Sequence, residues 1–331
     1  MLTASRDFLA LEGLSAADLS AWLDAAEAML PYASGRVPVP APLPLAGKVV
    51  ANIFFEDSTR TRCSFEIAAK RLGGEVTNLG ASGSSASKGE TLIDTAKNIE
   101  AMGVDAIVVR SAISGGALML ARALEVPVIN AGDGRHEHPT QGILDLLTMR
   151  RHFTQTRGSP EFAGRTIAIV GDIVNSRVAR SATHGLVTLG AKVLLVGPPT
   201  LVTSEFAALV RHRTPGMGSI EVGHDLDAVL PRLDAIMMLR IQMERAAGSG
   251  VAPDYRGLYG LTSVRARRLP EACAILHPGP VNRGIEIDDA MADDPRASRI
   301  LAQVTAGVAT RMAVLQRILG TPASTISQPA G

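Results

Sequence analysis

Cysteine is nearly absent from this chain: Cys63 and Cys273 are the only two in 331 residues. Two thiols so far apart in sequence build neither a disulfide framework nor a four-thiolate zinc site, so the expected setting is the reducing cytoplasm. An excess of either charge is also missing. Lys and Arg number 33 against 32 Asp and Glu, a formal net charge of +1. That balance removes the electrostatic basis for a general nucleic-acid or anionic-membrane binder, so any basic cluster must be small and local. No apolar run approaches the ~18 residues of a membrane span. The opening MLTASRDFLALEGLS carries an acid early and has no unbroken apolar core, so no signal peptide is expected. The phosphate-loop pattern GxxxxGK[ST] and the dinucleotide fingerprint GxGxxG are both missing, which argues against nucleotide binding.

What is present is enough chain for two cores of roughly 150 residues each. Ser15, then Asp18, then apolar residues at helical spacing to Leu30 predict an N-terminal helix ending at Pro31. The four prolines between Val37 and Pro44 mark a connector. Strands are expected at Lys48 to Phe55, Ala106 to Arg110 and Val126 to Asn130, separated by helices. Residues 78 to 89, NLGASGSSASKG, read as a Gly/Ser-rich loop too long for a tight turn. The segment RRHFTQTRGSPEFAG reads as a polar link. After it the alternation restarts, with strands at Thr166 to Val170, Val193 to Val196, Ala235 to Leu239 and Ala274 to Leu276. Strands alternating with helices are the sequence form of a parallel sheet. The expected fold is therefore α/β: two parallel-sheet domains of similar size, residues 1–147 and 148–331, with the active site between them. A last helix, residues 296–319, carries an apolar stripe through Ile300, Val304, Val308, Met312, Leu315 and Leu319 and is expected to pack back on the first domain.

The strongest chemical signal is Phe55-Glu-Asp-Ser-Thr-Arg-Thr-Arg62, between the first strand and its helix. In an open parallel sheet that junction lies at the carboxyl edge, where ligands bind. Ser58 or Thr59 could simply cap the helix. Yet Arg60 and Arg62 in a first turn oppose the helix dipole, and a bound anion reverses the sign of that effect. Arg110 ends its strand, and His138-Pro139-Thr140-Gln141 opens a helix with Pro near the favoured first position. In the second half, Arg177 and Arg240 follow strands, and His277-Pro-Gly-Pro280 is a turn rigid enough to aim carbonyls at a ligand. His136 and His138 have no carboxylate or thiol cluster at ligand spacing beside them, so no metal site is expected. Together these features describe two anionic substrates.

These motifs, STRTR (58–62), SKGET (87–91), HPTQ (138–141), GDIVNSRVARS (171–181), RIQMER (240–245) and HPGPVNRGIE (277–286), resemble the aspartate/ornithine carbamoyltransferase superfamily, and within it the aspartate-specific catalytic chains. The resemblance runs from about Asp7 to Leu319. It implies transfer of a carbamoyl group from carbamoyl phosphate to L-aspartate, the second step of pyrimidine biosynthesis, with neither metal nor organic cofactor. It also implies that Ser58, Thr59, Arg60, Thr61, Arg110, His138, Gln141, Gly279 and Pro280 hold carbamoyl phosphate. Lys88, Arg177, Arg240 and Gln242 match aspartate recognition, and Ser84 and Lys88 reach into a neighbouring subunit's site in a homotrimer. Arg60, Thr61, Lys88, Arg110 and His138 carry the catalysis in that reading. Regulatory chains or a dihydroorotase are conceivable further partners. Cys63 and Asn175 stand where Thr and His are usual. The rival readings are an ornithine carbamoyltransferase, whose HCLP and SMG signatures are missing here, and a catalytically inactive relative, against which the intact arginines argue.

Overall fold

The computed structural model describes residues 6–80, 90–210, 212, 214–241 and 254–320. The chain divides into two compact units: one within Met1–Leu9, Asp24–Gly134 and Val308–Gly331, the other within Ala10–Leu23 and Arg135–Gly307. Helix α1 (Ala16–Met29) opens on the expected signal. Ser15 Oγ accepts from Asp18 N at 3.1 Å and Asp18 Oδ2 accepts from Ser15 N at 3.2 Å, a reciprocal box that satisfies helix-start amides. The α-helix stops at Met29, and Pro31 sits inside a following 3₁₀ turn.

The first unit is built on strands β1 (Val49–Phe54), β2 (Glu75–Gly80), β3 (Ala106–Ser111) and β4 (Val128–Asp133), all parallel in the order β2-β1-β3-β4. Between them run α2 (Thr59–Arg71), α3 (Leu92–Glu100) and α4 (Gly116–Ala123). Ile53, Ile107 and Val109 pack with Ile99, Leu120 and Leu124, all buried. Phe65, Ala68 and Ala69 of α2 are wholly buried, which is why an Ala-rich face at helical spacing forms this helix. β2 departs from expectation, since Asn78 to Gly80 were read as loop. None of its residues is buried, and an edge strand with polar side chains has no apolar run to announce it. Pairing with β1, Asn52 against Asn78, makes it a strand.

The second unit holds β5 (Thr166–Val170), β6 (Lys192–Val196), β7 (Ser219–Gly223), β8 (Ala235–Met238) and β9 (Ala274–Leu276), parallel in the order β7-β6-β5-β8-β9. β7 is a second edge strand, its only apolar residues Ile220 and Val222 alternating with polar ones and none of them buried. Two long helices belong here, α5 (Pro139–Arg157) and α6 (Arg177–Thr188). They approach closely because Gly142 and Gly185 lack side chains: a Cβ on Gly142 would lie 3.1 Å from Ser181 Cβ on α6, and one on Gly185 2.6 Å from Leu146 Cδ1 on α5. α5 continues through most of the segment expected to be a link. Phe153 is buried edge-on against Phe162 at 5.8 Å under the Arg165 guanidinium, and no breaker occurs before Gly158 at φ +68°. The C-terminal helix spans Ile300–Leu319. Its expected stripe is corrected at one position: Val304 is 53% exposed, while Gln303 beside it is buried.

Candidate active site

At the carboxyl edge of the first sheet, β1 gives way to Phe55–Asp57 and α2 begins at Thr59. Ser58 occupies the N-cap position (φ −159°, ψ 79°), but its hydroxyl caps no amide, and the first turn contains no acid. The turn instead carries exposed Arg60, half-buried Arg62 and buried Thr61. A helix start that its N-cap hydroxyl leaves unbonded, with two guanidiniums in its first turn, is chemically suited to an anion. Arg110 stands beside it, because β1 and β3 pair with Phe54 opposite Arg110 and Phe55 N donates to Arg110 O at 2.9 Å. The register of β3 against β4 shifts between Val109 and Ser111. At that irregularity the Arg110 guanidinium donates to Ala131 O at 3.3 Å and lies 3.5 Å from Glu56. Buried Asp133 braces the neighbouring turn, accepting from Gly115 N and Asn130 Nδ2, each at 2.8 Å.

In the second unit His138 is the N-cap residue of α5, with Pro139 at the first helical position. His138 N donates to Ser181 Oγ at 2.9 Å, and that hydroxyl donates to Glu137 at 2.7 Å. Gln141 Nε2 donates to Asp145 at 2.9 Å, leaving Oε1 as the end it can offer outward, an acceptor. After β9, Gly279 N donates to His277 Nδ1 at 2.8 Å, which makes Nδ1 an acceptor and places the ring proton on Nε2, 3.1 Å from Glu286. The neutral imidazole thus holds the turn, whose Gly279 has φ +69°. Asn282 Nδ2 ties the turn to Ile241 O at 2.8 Å.

The two second-unit arginines share a sheet edge. Arg177 opens α6 after β5, and Arg240 follows β8, which pairs with β5 as Val170 opposite Met238. Unlike α2, α6 is capped by its own chain: Ser176 Oγ accepts from Ala179 N at 3.1 Å. Asn175 folds the preceding turn, donating N and Nδ2 to Asp172. Both arginines are half-buried. Ser84, Lys88 and Gln242 lie outside the described residues.

One sequence-based expectation is corrected. Carboxylates do accompany His136: the ligand atoms of Glu12, His136 and Glu137 lie within 4.8 Å of one another. Glu12 comes from far off in the sequence, so spacing could not reveal it. Both Glu137 oxygens are engaged, accepting from Leu11 N and Glu12 N at 2.9 Å as well as from Ser181, so the group tethers residues 11–12 beneath His138. Burial holds the neighbouring His184 imidazole below its ordinary pKa, against the pull of Glu137 and Glu12. Sequence reasoning also missed Glu56, Asp145 and Gln303. Asp145 carried a faint signal, one helical turn beyond Gln141; Gln303 carried none.

Comparison with known proteins identifies the relatives of this chain. The profile of the aspartate/ornithine carbamoyltransferase carbamoyl-P binding domain matches residues 6–151, and that of the Asp/Orn binding domain matches residues 163–318. The chain is 50% identical over 315 residues to the aspartate carbamoyltransferase catalytic subunit of Salinispora tropica, covering 93% of this chain and 97% of that one. It is similar to the crystal structure of Trypanosoma cruzi aspartate transcarbamoylase in complex with N-(phosphonacetyl)-L-aspartic acid, with TM-score 0.83 at 30% identity over 97% of this chain and 98% of that one. Ornithine carbamoyltransferase from Pyrococcus furiosus gives TM-score 0.81 at 28% identity, over 95% and 97%.

Proposed function

The chain belongs to the aspartate/ornithine carbamoyltransferase family, and on that premise we propose that it is an aspartate carbamoyltransferase, converting carbamoyl phosphate and L-aspartate to N-carbamoyl-L-aspartate and phosphate in pyrimidine biosynthesis. The observation that carries the reading is the uncapped start of α2, with Arg60 in its first turn and Arg110 set beside it by the β1–β3 register. Such a cradle suits an acyl phosphate dianion. Aspartate is favoured over ornithine as acceptor by the identity to aspartate-specific relatives and by Arg177 and Arg240, cations suited to a dicarboxylate.

In this reading residues 1–147 supply most of the carbamoyl phosphate site, joined by Gly279 and Pro280, and residues 148–331 otherwise bind L-aspartate. Ser58, Thr59, Arg60, Thr61 and Arg110 hold the phosphate, and His138, Gln141, Gly279 and Pro280 address the carbamoyl group. The acceptor end of Gln141 matches the carbamoyl –NH₂, a donor. Arg177, Arg240 and Gln242 bind aspartate. Lys88, with Ser84, completes the site of a neighbouring chain in a cytoplasmic homotrimer. The neutral α-amine of aspartate attacks the carbamoyl carbon. Arg60, Thr61, Arg110 and His138 stabilise the oxyanion, the C–O bond to phosphate breaks, and phosphate departs with the bonding pair. The attacking nitrogen gives up one proton, which the departing phosphate takes, so that carbamoyl-aspartate and hydrogen phosphate result. Among the described residues no helix is long and apolar enough to cross a membrane.

The test is to supply carbamoyl phosphate to the purified chain with aspartate or with ornithine. Equimolar carbamoyl-aspartate and phosphate are expected; carbamoylation of ornithine alone would overturn the reading.

A further inference from the structure

Behind two of these binding elements lies a set of buried polar side chains that no step above uses. Gln303, 3% exposed on the C-terminal helix, donates Nε2 to Asp145 Oδ1 at 2.7 Å, and its Oε1 accepts from His277 N at 2.9 Å. Its amide has one allowed orientation, because an ionised carboxylate only accepts and a backbone N–H only donates. Asp145, fully buried on α5, takes Gln141 Nε2 through the same oxygen. His277 in turn holds Gly279 N and Glu286. One side-chain amide therefore joins the first turn of α5 to the first residue of the His277–Pro280 turn.

Polar groups buried this deeply cost free energy unless every partner is present, and an apolar side chain would fill the position without that demand. What the amide adds is direction. With the Gln303 donor in place, Asp145 stays an acceptor for both glutamines, and Gln141 must turn Oε1 outward. Without it, a buried carboxyl that has lost a donor is driven toward its protonated form, which can donate to Gln141 and reverse its amide.

We propose that Gln303 is a positioning residue for the carbamoyl end of carbamoyl phosphate: through Asp145 it sets the amide orientation of Gln141, and through His277 N it holds the turn to Pro280. This rests on the functional reading above. It places substrate discrimination partly in a residue that touches no substrate.

The test uses the full-length protein and two substitutions of similar volume. Gln303→Met removes both ends of the amide; Gln303→Glu keeps an acceptor for His277 N and sets a second carboxyl against Asp145, a pair that must share one proton and so no longer fixes which end of the Gln141 amide faces it. Equilibrium binding is measured for carbamoyl phosphate, for acetyl phosphate, which has a methyl in place of –NH₂, and for inorganic phosphate. Both variants should lose about tenfold to a hundredfold in carbamoyl phosphate affinity, the size of one charge-assisted hydrogen bond misdirected. Acetyl phosphate and phosphate should stay within about twofold, with the KM for aspartate unchanged. Equal losses for all three ligands, or no loss, would overturn the positioning role. Should Gln303→Met fail to fold, the Gln303→Glu variant decides alone. A wild-type protein that binds carbamoyl phosphate but carbamoylates only ornithine would defeat the functional reading and leave this inference standing.

Discussion

Helices α2 and α6 begin alike, each following a strand at the carboxyl edge of a parallel sheet with a serine before arginine-bearing first residues. They differ in what the serine does. Ser176 accepts from Ala179 N and closes its helix start, whereas Ser58 caps nothing. A helix start closed by its own hydroxyl has fewer amides to offer, so α6 contributes the Arg177 side chain. One left open offers amides and field together, so α2 as a whole is the binding element. In the proposed reading the same residue types serve a carboxylate in one unit and a phosphate in the other.

Removing Arg60 tests the open cradle most severely. Arg60→Ala should lower kcat by about 10²–10³-fold or more, as expected when a transition-state donor is lost. The ligand-free melting temperature should hold or rise slightly, because a cation in a first turn opposes the dipole by roughly 0.3–1 kcal/mol. Retained activity with a large fall in ligand-free stability would make Arg60 structural and end the contrast with α6.

Subunit mixing asks whether the cradle is completed by another chain. Arg60→Ala and Lys88→Ala homotrimers should each be nearly inactive. Random equal mixing makes about three-quarters of trimers mixed, and under cyclic symmetry each mixed ring holds one unaltered site, so about a quarter of all sites should recover. An inactive mixture, after exchange is verified, would remove Lys88 from the neighbour's site.

Arg240→Ala probes the second sheet edge. It should raise the KM for aspartate by about ten- to a hundredfold, the loss of one charge-assisted pair, with carbamoyl phosphate affinity little changed. The reverse pattern would interchange the roles of the two edges.

The smallest effects compare the serines directly. Ser176→Ala should destabilise the ligand-free protein by about 1 kcal/mol in denaturant unfolding, as a lost cap does. Ser58→Ala should cost almost nothing there yet weaken phosphate binding in a titration. Equal stability losses would show that both hydroxyls are ordinary caps.

Buried strands such as Thr166–Val170 and Ala274–Leu276 were legible to the residue, because a strand covered on both faces is a continuous apolar run. β2 and β7 were not, because at an edge the hydrogen-bonding neighbour decides and the side chains need only tolerate water. The helix nature of Arg150 to Arg157 was hidden for a related reason: with Phe153 its single apolar residue it shows no helical period, and the burial of His152 and Phe153 settles it.

The contiguous motifs, with their charges and rigid prolines, were determined by sequence alone, since a strand–turn–helix junction presents whatever residues the chain places there. Which strand lies beside which, and hence Arg110 beside the start of α2, was decided by the tertiary structure. So was the partnership of Asp145 with Gln303, 158 positions apart, and of Glu137 with Leu11, 126 apart. Local propensity acts over a few residues, whereas a buried hydrogen bond exists only where packing brings a donor and an acceptor together and leaves neither an alternative in water.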